Sequence, residues 1–457
     1  MTIPFHVPNL SKPQIEYNFH FHIDNLKPFS HTLLPVSRDG SRPIHPVEVF
    51  DPLDFITCPD SEFDSIISPP LPMESTPLKL VDTVEDLGYL ASKLSRVDVF
   101  AVDLEHNSYR SYQGMTCLMQ ISTRFEDFIV DTLKLRQHMG EYLRDIFMDP
   151  TKKKVIHGSD NDIMWLQRDF SIYVVNLFDT MRSSQVLQLE RNSLAFLLKY
   201  YCGIESNKEY QSSDWRIRPL PVDMLKYARE DTHYLLFIYD SMRKELGSIG
   251  SDPLMIEVYK RSYDVCKRLY CVEVFDRETS YLSLYGLSDA CLDEEQLGLV
   301  AGLYEWRDKV SRKEDESCWY VLPNKMILEI AKRKPINKHE LLEIVGYSKE
   351  YVLRDVDFII DFIWRSTQVN LHKFKVVARL LKQKVNPSVI VSTIQGWRKI
   401  RAREQHVFPA SMPRLQYANS APLAQLFSYA ARRPCVYPYR VPSVAAYVNA
   451  PFVVHCL

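Results

Sequence analysis

Three short stretches of this chain place acidic side chains where a metal ion could be held. In Asp103-Leu104-Glu105, residues i and i+2 of a strand point to one face, so both carboxylates can converge on a cation while Leu104 packs behind them. That spacing alone is weak, because Asp293-Glu294-Glu295 repeats it in what reads as a solvated helix start. In His157-Gly158-Ser159-Asp160-Asn161-Asp162 a strand ends, a glycine turn follows and a helix begins. Asp160 reads as an acid that caps the helix, whereas Asp162 can project toward the sheet edge. In Tyr227-Ala228-Arg229-Glu230-Asp231, the first and last residues stand at i and i+4 and share one helical face. Taken alone, Tyr227 could equally be a core side chain.

Together these residues point to phosphodiester hydrolysis. That reaction needs an activated water, a stabilised leaving oxygen and neutralisation of growing negative charge. Two divalent cations about 3.5–4 Å apart supply all three. Mg²⁺ and Mn²⁺ prefer carboxylate oxygens and keep several waters. Asp103, Glu105, Asp162 and Asp231, drawn from a strand and two helices, suit such a pair. A tyrosine hydroxyl one turn before the last acid can orient the attacking water.

The elements that must position these groups are legible around them. Thr83-Val84-Glu85-Asp86 predicts a capped helix carrying Leu87, Leu90 and Leu94. Residues 97–104, 118–122, 128–131 and 154–157 read as strands, and 160–170, 180–190, 193–202 and 222–246 as helices. Strands with helices threaded between them predict an α/β sheet domain over residues 76–250. Residues 1–75, with prolines spread from Pro35 to Pro72, read as an extended linker, and 251–285 as a connecting segment. Short helices at 295–309, 324–333, 338–344 and 349–364 predict a small all-α bundle over 286–367. A helical basic segment at 368–405 and an atypical tail at 406–457, read either as disordered or as a non-homologous end from alternative splicing or a gene-model error, complete the expected layout. That tail holds no Asp, Glu or Lys.

Bulk properties constrain less. The net charge of −2 over 457 residues gives no general argument for binding a polyanion. The nine cysteines are scattered, with no CxxC pair or zinc-finger spacing. No apolar run is long enough to span a bilayer, and Met1-Thr2-Ile3-Pro4-Phe5-His6 lacks the layout of a secretory signal. The expected compartment is intracellular. Arg110, Lys152, Lys153, Lys154, Arg216 and Arg218 are the candidates for a basic entry surface; the 152–154 run otherwise reads as solvated charge.

The three motifs, with the words around them, resemble the DEDD-Y exonucleases of the ribonuclease D group. The carriers are Ala101-Val102-Asp103-Leu104-Glu105-His106-Asn107, Leu118-Met119-Gln120-Ile121-Ser122, Trp165-Leu166-Gln167-Arg168-Asp169-Phe170 and Asp214-Trp215-Arg216-Ile217-Arg218-Pro219. They are similar to the eukaryotic nuclear, exosome-associated branch of that group. The resemblance covers about residues 80–365. It implies a ribonuclease H-like mixed sheet flanked by helices, and 3′→5′ trimming of single-stranded RNA with release of nucleoside 5′-monophosphates. It implies that two divalent cations, Mg²⁺ or Mn²⁺, are held by Asp103, Glu105, Asp162 and Asp231, with Tyr227 positioning the water. His106, Trp165 and Lys208 match positions that contact the terminal nucleotide. The helical unit resembles a helicase-and-RNase-D C-terminal (HRDC) domain, on Trp306-Arg307-Asp308-Lys309 and Tyr320-Val321-Leu322-Pro323-Asn324. Its Trp306 and Tyr320 read equally well as core, and Asp308–Asp315 as a solvated face. The implied setting is the nucleus and nucleolus, in ribosomal RNA 3′-end maturation and RNA surveillance with the exosome core, away from membranes. Two other readings stand beside it: an exonuclease acting on DNA, and a metal-free scaffold docking RNA-processing partners.

Overall fold

The computed structural model describes residues 4–19, 29–56, 69–248, 252–272, 274–347, 349–368 and 372–407. Most of the segment read as an atypical tail, residues 408–457, lies outside them. The chain divides into two compact units, 1–275 with 312–317, and 276–311 with 318–457.

The first unit is built on a six-stranded sheet. Its strands are β1 (Leu78–Val81), β2 (Val99–Asn107), β3 (Met115–Ser122), β4 (Asp127–Val130), β5 (Lys153–Ile156) and β6 (Leu177–Asp179), in the spatial order β1-β4-β3-β2-β5-β6. The strands β2, β3 and β4 form an antiparallel meander, and β1, β5 and β6 join in parallel. Parallel neighbours need crossovers, which the helices α1 (Val84–Leu94), α2 (Arg136–Met148) and α3 (Asp160–Phe170) supply on the way. Thr83 caps α1 as expected, its Oγ1 accepting from the Asp86 N–H at 3.2 Å. Leu87, Leu90 and Leu94 then bury one face of the helix completely. Each such leucine contributes roughly 1.5–3 kcal/mol of burial free energy.

Strand β2 is central and buried on both sides, as its apolar run predicts. Where it reaches the acidic residues, its register against β3 shifts. Glu105 pairs with Leu118 but His106 pairs with Thr116, which leaves Cys117 as an extra residue. The carbonyl of Cys117 accepts from the Arg218 guanidinium at 2.7 Å, so the bulged residue's acceptor is satisfied.

Past the sheet, α4 (Thr180–Val186), α5 (Val222–His233), α6 (Leu235–Ser248) and α7 (Asp252–Cys266) complete the unit. The helical period read over 222–246 breaks at Tyr234, so two helices stand where one was expected. Helix α7 falls in the stretch read as a connecting segment. Its Met255, Val258 and Tyr259 belong to the main core instead, and the unit runs to Phe275. Residues 1–75 also correct the linker reading. Among the described residues of that stretch the backbone is mostly irregular, but Val47 and Phe55 are buried in that same core. Linker-like composition there marks the absence of period, not the absence of packing.

The cations proposed as an entry surface are neither an entry surface nor solvated. Lys152, Lys153 and Lys154 are 9%, 4% and 0% exposed. Lys152 Nζ donates to the carbonyls of Ser95 and Val97, and Lys154 Nζ to those of Asp149 and Lys152. Lys153 Nζ bonds the Phe55 carbonyl and the Tyr259 hydroxyl, tying the N-terminal stretch to α7. Burial pushes the Lys154 ammonium down to about 7. Arg216 is paired with Asp214, both side chains being fully buried, and Arg218 grips Asp131 at 2.6 Å. Arg110 is paired with the buried Glu316 at 2.6 Å. Six cations that pattern alone assigns to the surface are structural.

The second unit is helical. Its helices α8 (Glu294–Glu314, up to Ser311), α9 (Asn324–Arg333), α10 (Lys338–Val345), α11 (Val356–Gln368), α12 (His372–Lys382) and α13 (Pro387–Val407) enclose one core. Asp293 caps α8, accepting from the Gln296 N–H at 2.8 Å, as the reading of Asp293-Glu294-Glu295 as a helix start requires. Trp306 is core, with its indole N–H on Asp355 at 3.0 Å, and Asp308 is buried, against the solvated-face reading. Tyr281, Leu282 and Leu284 from the expected connector, and Val377, Leu381 and Ile390 from the expected basic segment, lie in the same core. The unit is therefore larger than the 286–367 bundle predicted. No described helix is long and apolar enough to cross a membrane.

Candidate active site

The strand β2 and the helix α5 bring the acids together. Asp103 and Glu105 lie on one face of β2, with Leu104 buried on the other. Asp231 projects from α5, and one ligand oxygen from each of the three lies within 4.8 Å of the others. Asp162 stands outside that tight triangle but within electrostatic reach. After burial, the Asp103 charge is the strongest influence raising its pKa.

The turn that places Asp162 is fixed by a residue to which the sequence reading assigned no role. Asp179, at the end of β6, accepts from the backbone N–H groups of Gly158 (3.0 Å) and Ser159 (2.9 Å) and from the Ser159 hydroxyl (2.7 Å). It also caps α4 through the Met181 N–H at 2.8 Å. Gly158 has φ +66°, a left-handed conformation that suits glycine. No signal in the sequence distinguishes Asp179, since its partners lie about twenty residues away.

The electrostatics of the cluster are those of acids that lack a counter-charge. Burial raises Asp103 to about 7. Glu105, Asp162 and Asp231 are raised well above the usual carboxylate range, first by burial and then by their acidic neighbours, Asp103 foremost. Such a donor set fits divalent cations, which would be held by carboxylate oxygens and would remove the repulsion. The Tyr227 hydroxyl hydrogen-bonds Asp231, and burial together with the surrounding carboxylates raises its pKa, so it stays a phenol. Its ring is flanked by Trp215, at 6.0 Å between centroids, and Tyr210, at 6.1 Å.

The three expected nucleotide contacts are placed differently from one another. The His106 and Trp165 rings stack at 4.2 Å with an interplanar angle of 4°. Burial holds His106 well below the usual histidine value. Gly114, with φ +76°, lies against it: a Cβ there would come within 2.3 Å of His106 Cε1. Lys208 is exposed on the short turn Lys208–Tyr210, whose Tyr210 faces Tyr227. No hydrogen bond or ion pair ties its ammonium to the acids among the described residues.

The raised acids predict a stability signature. Asp103 has a folded-state pKa above its unfolded value of 3.8, so between about pH 4 and 7 the folded state binds more protons. The metal-free protein then loses stability as pH rises through that window. In chelator, the melting temperature should fall from pH 5 to pH 7.5, and fall less in Asp103→Asn. Mn²⁺ should raise it by several degrees at pH 7.5 and little at pH 5, about 1 kcal/mol corresponding to roughly 2–4 °C. A melting temperature indifferent to Mn²⁺ at both pH values would remove these acids as a cation site.

Comparisons with known proteins agree with this geometry. Residues 78–247 match the family of 3′-5′ exonuclease domains, and residues 296–363 match the HRDC domain. Among curated relatives, Protein RRP6-like 1 of Arabidopsis thaliana is 54% identical over 399 residues, covering 86% of this chain and 62% of that protein. Exosome complex component 10 of Rattus norvegicus is 47% identical over 319 residues, covering 69% of this chain and 36% of that protein. The chain thus spans between about a third and two thirds of these relatives' lengths. Among solved structures, the catalytic core of RRP6 from Trypanosoma brucei superposes with a TM-score of 0.70 at 34% identity, covering 79% of this chain and 99% of that one. Ribonuclease D of Escherichia coli, at 20% identity and a TM-score of 0.50, shares the fold. An exonuclease domain carrying an acidic cluster, joined to an HRDC domain and matching an RRP6 catalytic core along its whole length, places this chain in the RRP6 family of 3′→5′ exonucleases.

Proposed function

We propose that this chain is a divalent-metal-dependent 3′→5′ exoribonuclease that removes nucleoside 5′-monophosphates from single-stranded RNA. The observation that carries the reading is the convergence of Asp103, Glu105 and Asp231 within 4.8 Å, with Tyr227 hydrogen-bonded to the last of them. Asp103, Glu105, Asp162 and Asp231 would hold two divalent cations, Mg²⁺ or Mn²⁺. When bound, such a pair supplies a more acidic water and neutralises charge on the leaving oxygen. The chain's own groups do the rest. Tyr227, kept protonated, donates to Asp231 and offers its oxygen to the water that attacks the terminal phosphate, fixing the direction of attack. Trp165 and His106 offer a stacked pair of rings beside the acids, a surface suited to a terminal base or sugar. Lys208 would meet the backbone of the same nucleotide as a mobile point charge.

The relatives named as RRP6-like proteins and as exosome complex component 10 support an association with an exosome; from this we infer a setting in nuclear RNA processing and decay, with ribosomal RNA 3′-end maturation in the nucleolus. A time course on a 5′-labelled single-stranded RNA tests the activity. A ladder shortening from the 3′ end in Mg²⁺ or Mn²⁺, and abolished by chelator, is expected. Intact RNA after incubation with folded, metal-supplied protein would overturn the reading, and equal rates on the matched DNA strand would overturn its RNA preference.

A further inference from the structure

The Trp165-Leu166-Gln167-Arg168-Asp169-Phe170 stretch does more than supply a stacking ring. Asp169 is the anchor, with a fully buried side chain. It accepts from the Thr116 N–H and hydroxyl, each at 2.8 Å, and from Arg136 at 2.7 Å. Those partners lie on β3 and α2, so the carboxylate is fixed by the frame of the domain. Arg168 is held by that carboxylate through two bonds, Nε to Oδ1 at 2.6 Å and an outer nitrogen to Oδ2 at 2.9 Å. It also bonds the Tyr270 side chain, the Gln113 carbonyl and, at 3.1 Å, His106 Nε2.

That last bond decides the state of His106. A guanidinium donates and never accepts, so Nε2 must carry the lone pair and the ring proton must sit on Nδ1. Trp165 covers one ring face, and Gly114 presses on the Cε1–Nε2 edge. Flipping the ring would exchange the accepting nitrogen for a carbon and lose the bond to Arg168. Nδ1 has no hydrogen-bond partner among the described residues, and the ring stacks on Trp165, which shares a face of α3 with Asp162 three residues before it.

We propose that Arg168, anchored by Asp169, is a positioning residue for the exonuclease reaction: it fixes the tautomer and orientation of His106 so that Nδ1–H is offered as a hydrogen-bond donor to the terminal nucleotide. The proposal rests on the exoribonuclease reading for its consequence, but not for its geometry. Second residues of this kind, which fix a histidine's tautomer, are commonly worth about 10–100-fold in activity. Arg168→Met removes the donor and leaves Asp169 its bonds to Thr116 and Arg136. The loss should fall mainly on KM, because the acids and Tyr227 are untouched.

The test is a double-mutant cycle with a tautomer readout. We expect Arg168→Met to lower kcat/KM on a short single-stranded RNA by about 10–100-fold and Arg168→Lys, which keeps a donor, to recover part of it. In a His106→Ala background, Arg168→Met should cost little more, since its target is gone. Nitrogen shifts of the His106 imidazole should report the Nδ1–H form in the native protein and a mixture of tautomers in Arg168→Met. An equal further loss in the His106→Ala background, or unchanged imidazole shifts in Arg168→Met, would overturn the proposal. If all variants including the native chain are inactive while the shifts change as expected, the exonuclease reading fails and the positioning stands.

Discussion

Asp231→Ala should abolish RNA hydrolysis while single-stranded RNA binding stays within a few-fold of native. Two losses coincide at this position. One vertex of the acid triangle on β2 and α5 disappears, and Tyr227 loses the carboxylate that its hydroxyl bonds. Cation-borne charge stabilisation is worth several kcal/mol in such transition states, and each 1.36 kcal/mol is tenfold, so the rate should fall by roughly 10³ or more. Unfolding would not be an adequate explanation. Asp231 is a buried acid whose pKa is raised by burial and by Asp103, so deleting it relieves repulsion in the metal-free protein. Binding should persist because His106 and Trp165 remain stacked and Lys208 is unaffected. Single-turnover cleavage of a 5′-labelled RNA, beside a filter-binding isotherm on the same oligonucleotide, reads both quantities. Native-like cleavage by this variant would end the mechanism.

Tyr227→Phe should lower kcat by about 10²-fold with KM nearly unchanged. The ring is set between Trp215 and Tyr210, and phenylalanine keeps those contacts, so the variant isolates the hydroxyl. Burial and the nearby carboxylates raise the phenol's pKa, which makes it a hydrogen-bonding guide for water and not a base. The sign of the pH dependence follows. A residue protonated throughout contributes no limb to the profile, so the loss should be the same at pH 6 and pH 9. A defect that grows with pH would instead mean that a phenolate takes part. The variant also leaves buried Asp231 one donor short, at a cost of about 1–3 kcal/mol in stability, visible as a small drop in melting temperature.

How much of this was legible in the sequence depended on whether the deciding contacts were local. The acids were readable because i, i+2 on a strand and i, i+4 on a helix are local geometry, and Asp103-Leu104-Glu105 and Tyr227…Asp231 obey it. The strands β2 to β5 were found within a few residues for the same reason. Strand β6 was missed: three residues, Leu177-Phe178-Asp179, are too few to display a period. The edge strand β1, with alternating exposed residues and a single buried valine, was missed with it. Charge was the least readable property. Lys152-Lys153-Lys154 has the composition of a solvated or polyanion-facing run, yet each ammonium is satisfied by oxygens that fold in from elsewhere, Phe55 and Tyr259 among them. Asp214, which had no evident role in the sequence, proves to hold Arg216 and the Asn107 amide at the end of β2. Arg168 and Asp169 stood in a recognisable word, but their bonds to His106 and Thr116 belong to the tertiary fold alone.

The division of the acids between β2 and α5 also sets when during synthesis the site can exist. Asp103 and Glu105 leave the ribosome long before Asp231, which meets them only where α5 packs on β2, β3 and β4. Chains are made at about 5–20 residues per second, so a nascent chain spends several seconds or more with half a site. The part that emerges first carries Asp103, Glu105 and then Asp162, and lacks both Tyr227 and Asp231. The cluster of four acids is therefore complete only after residue 231 has been made and α5 has packed on the sheet.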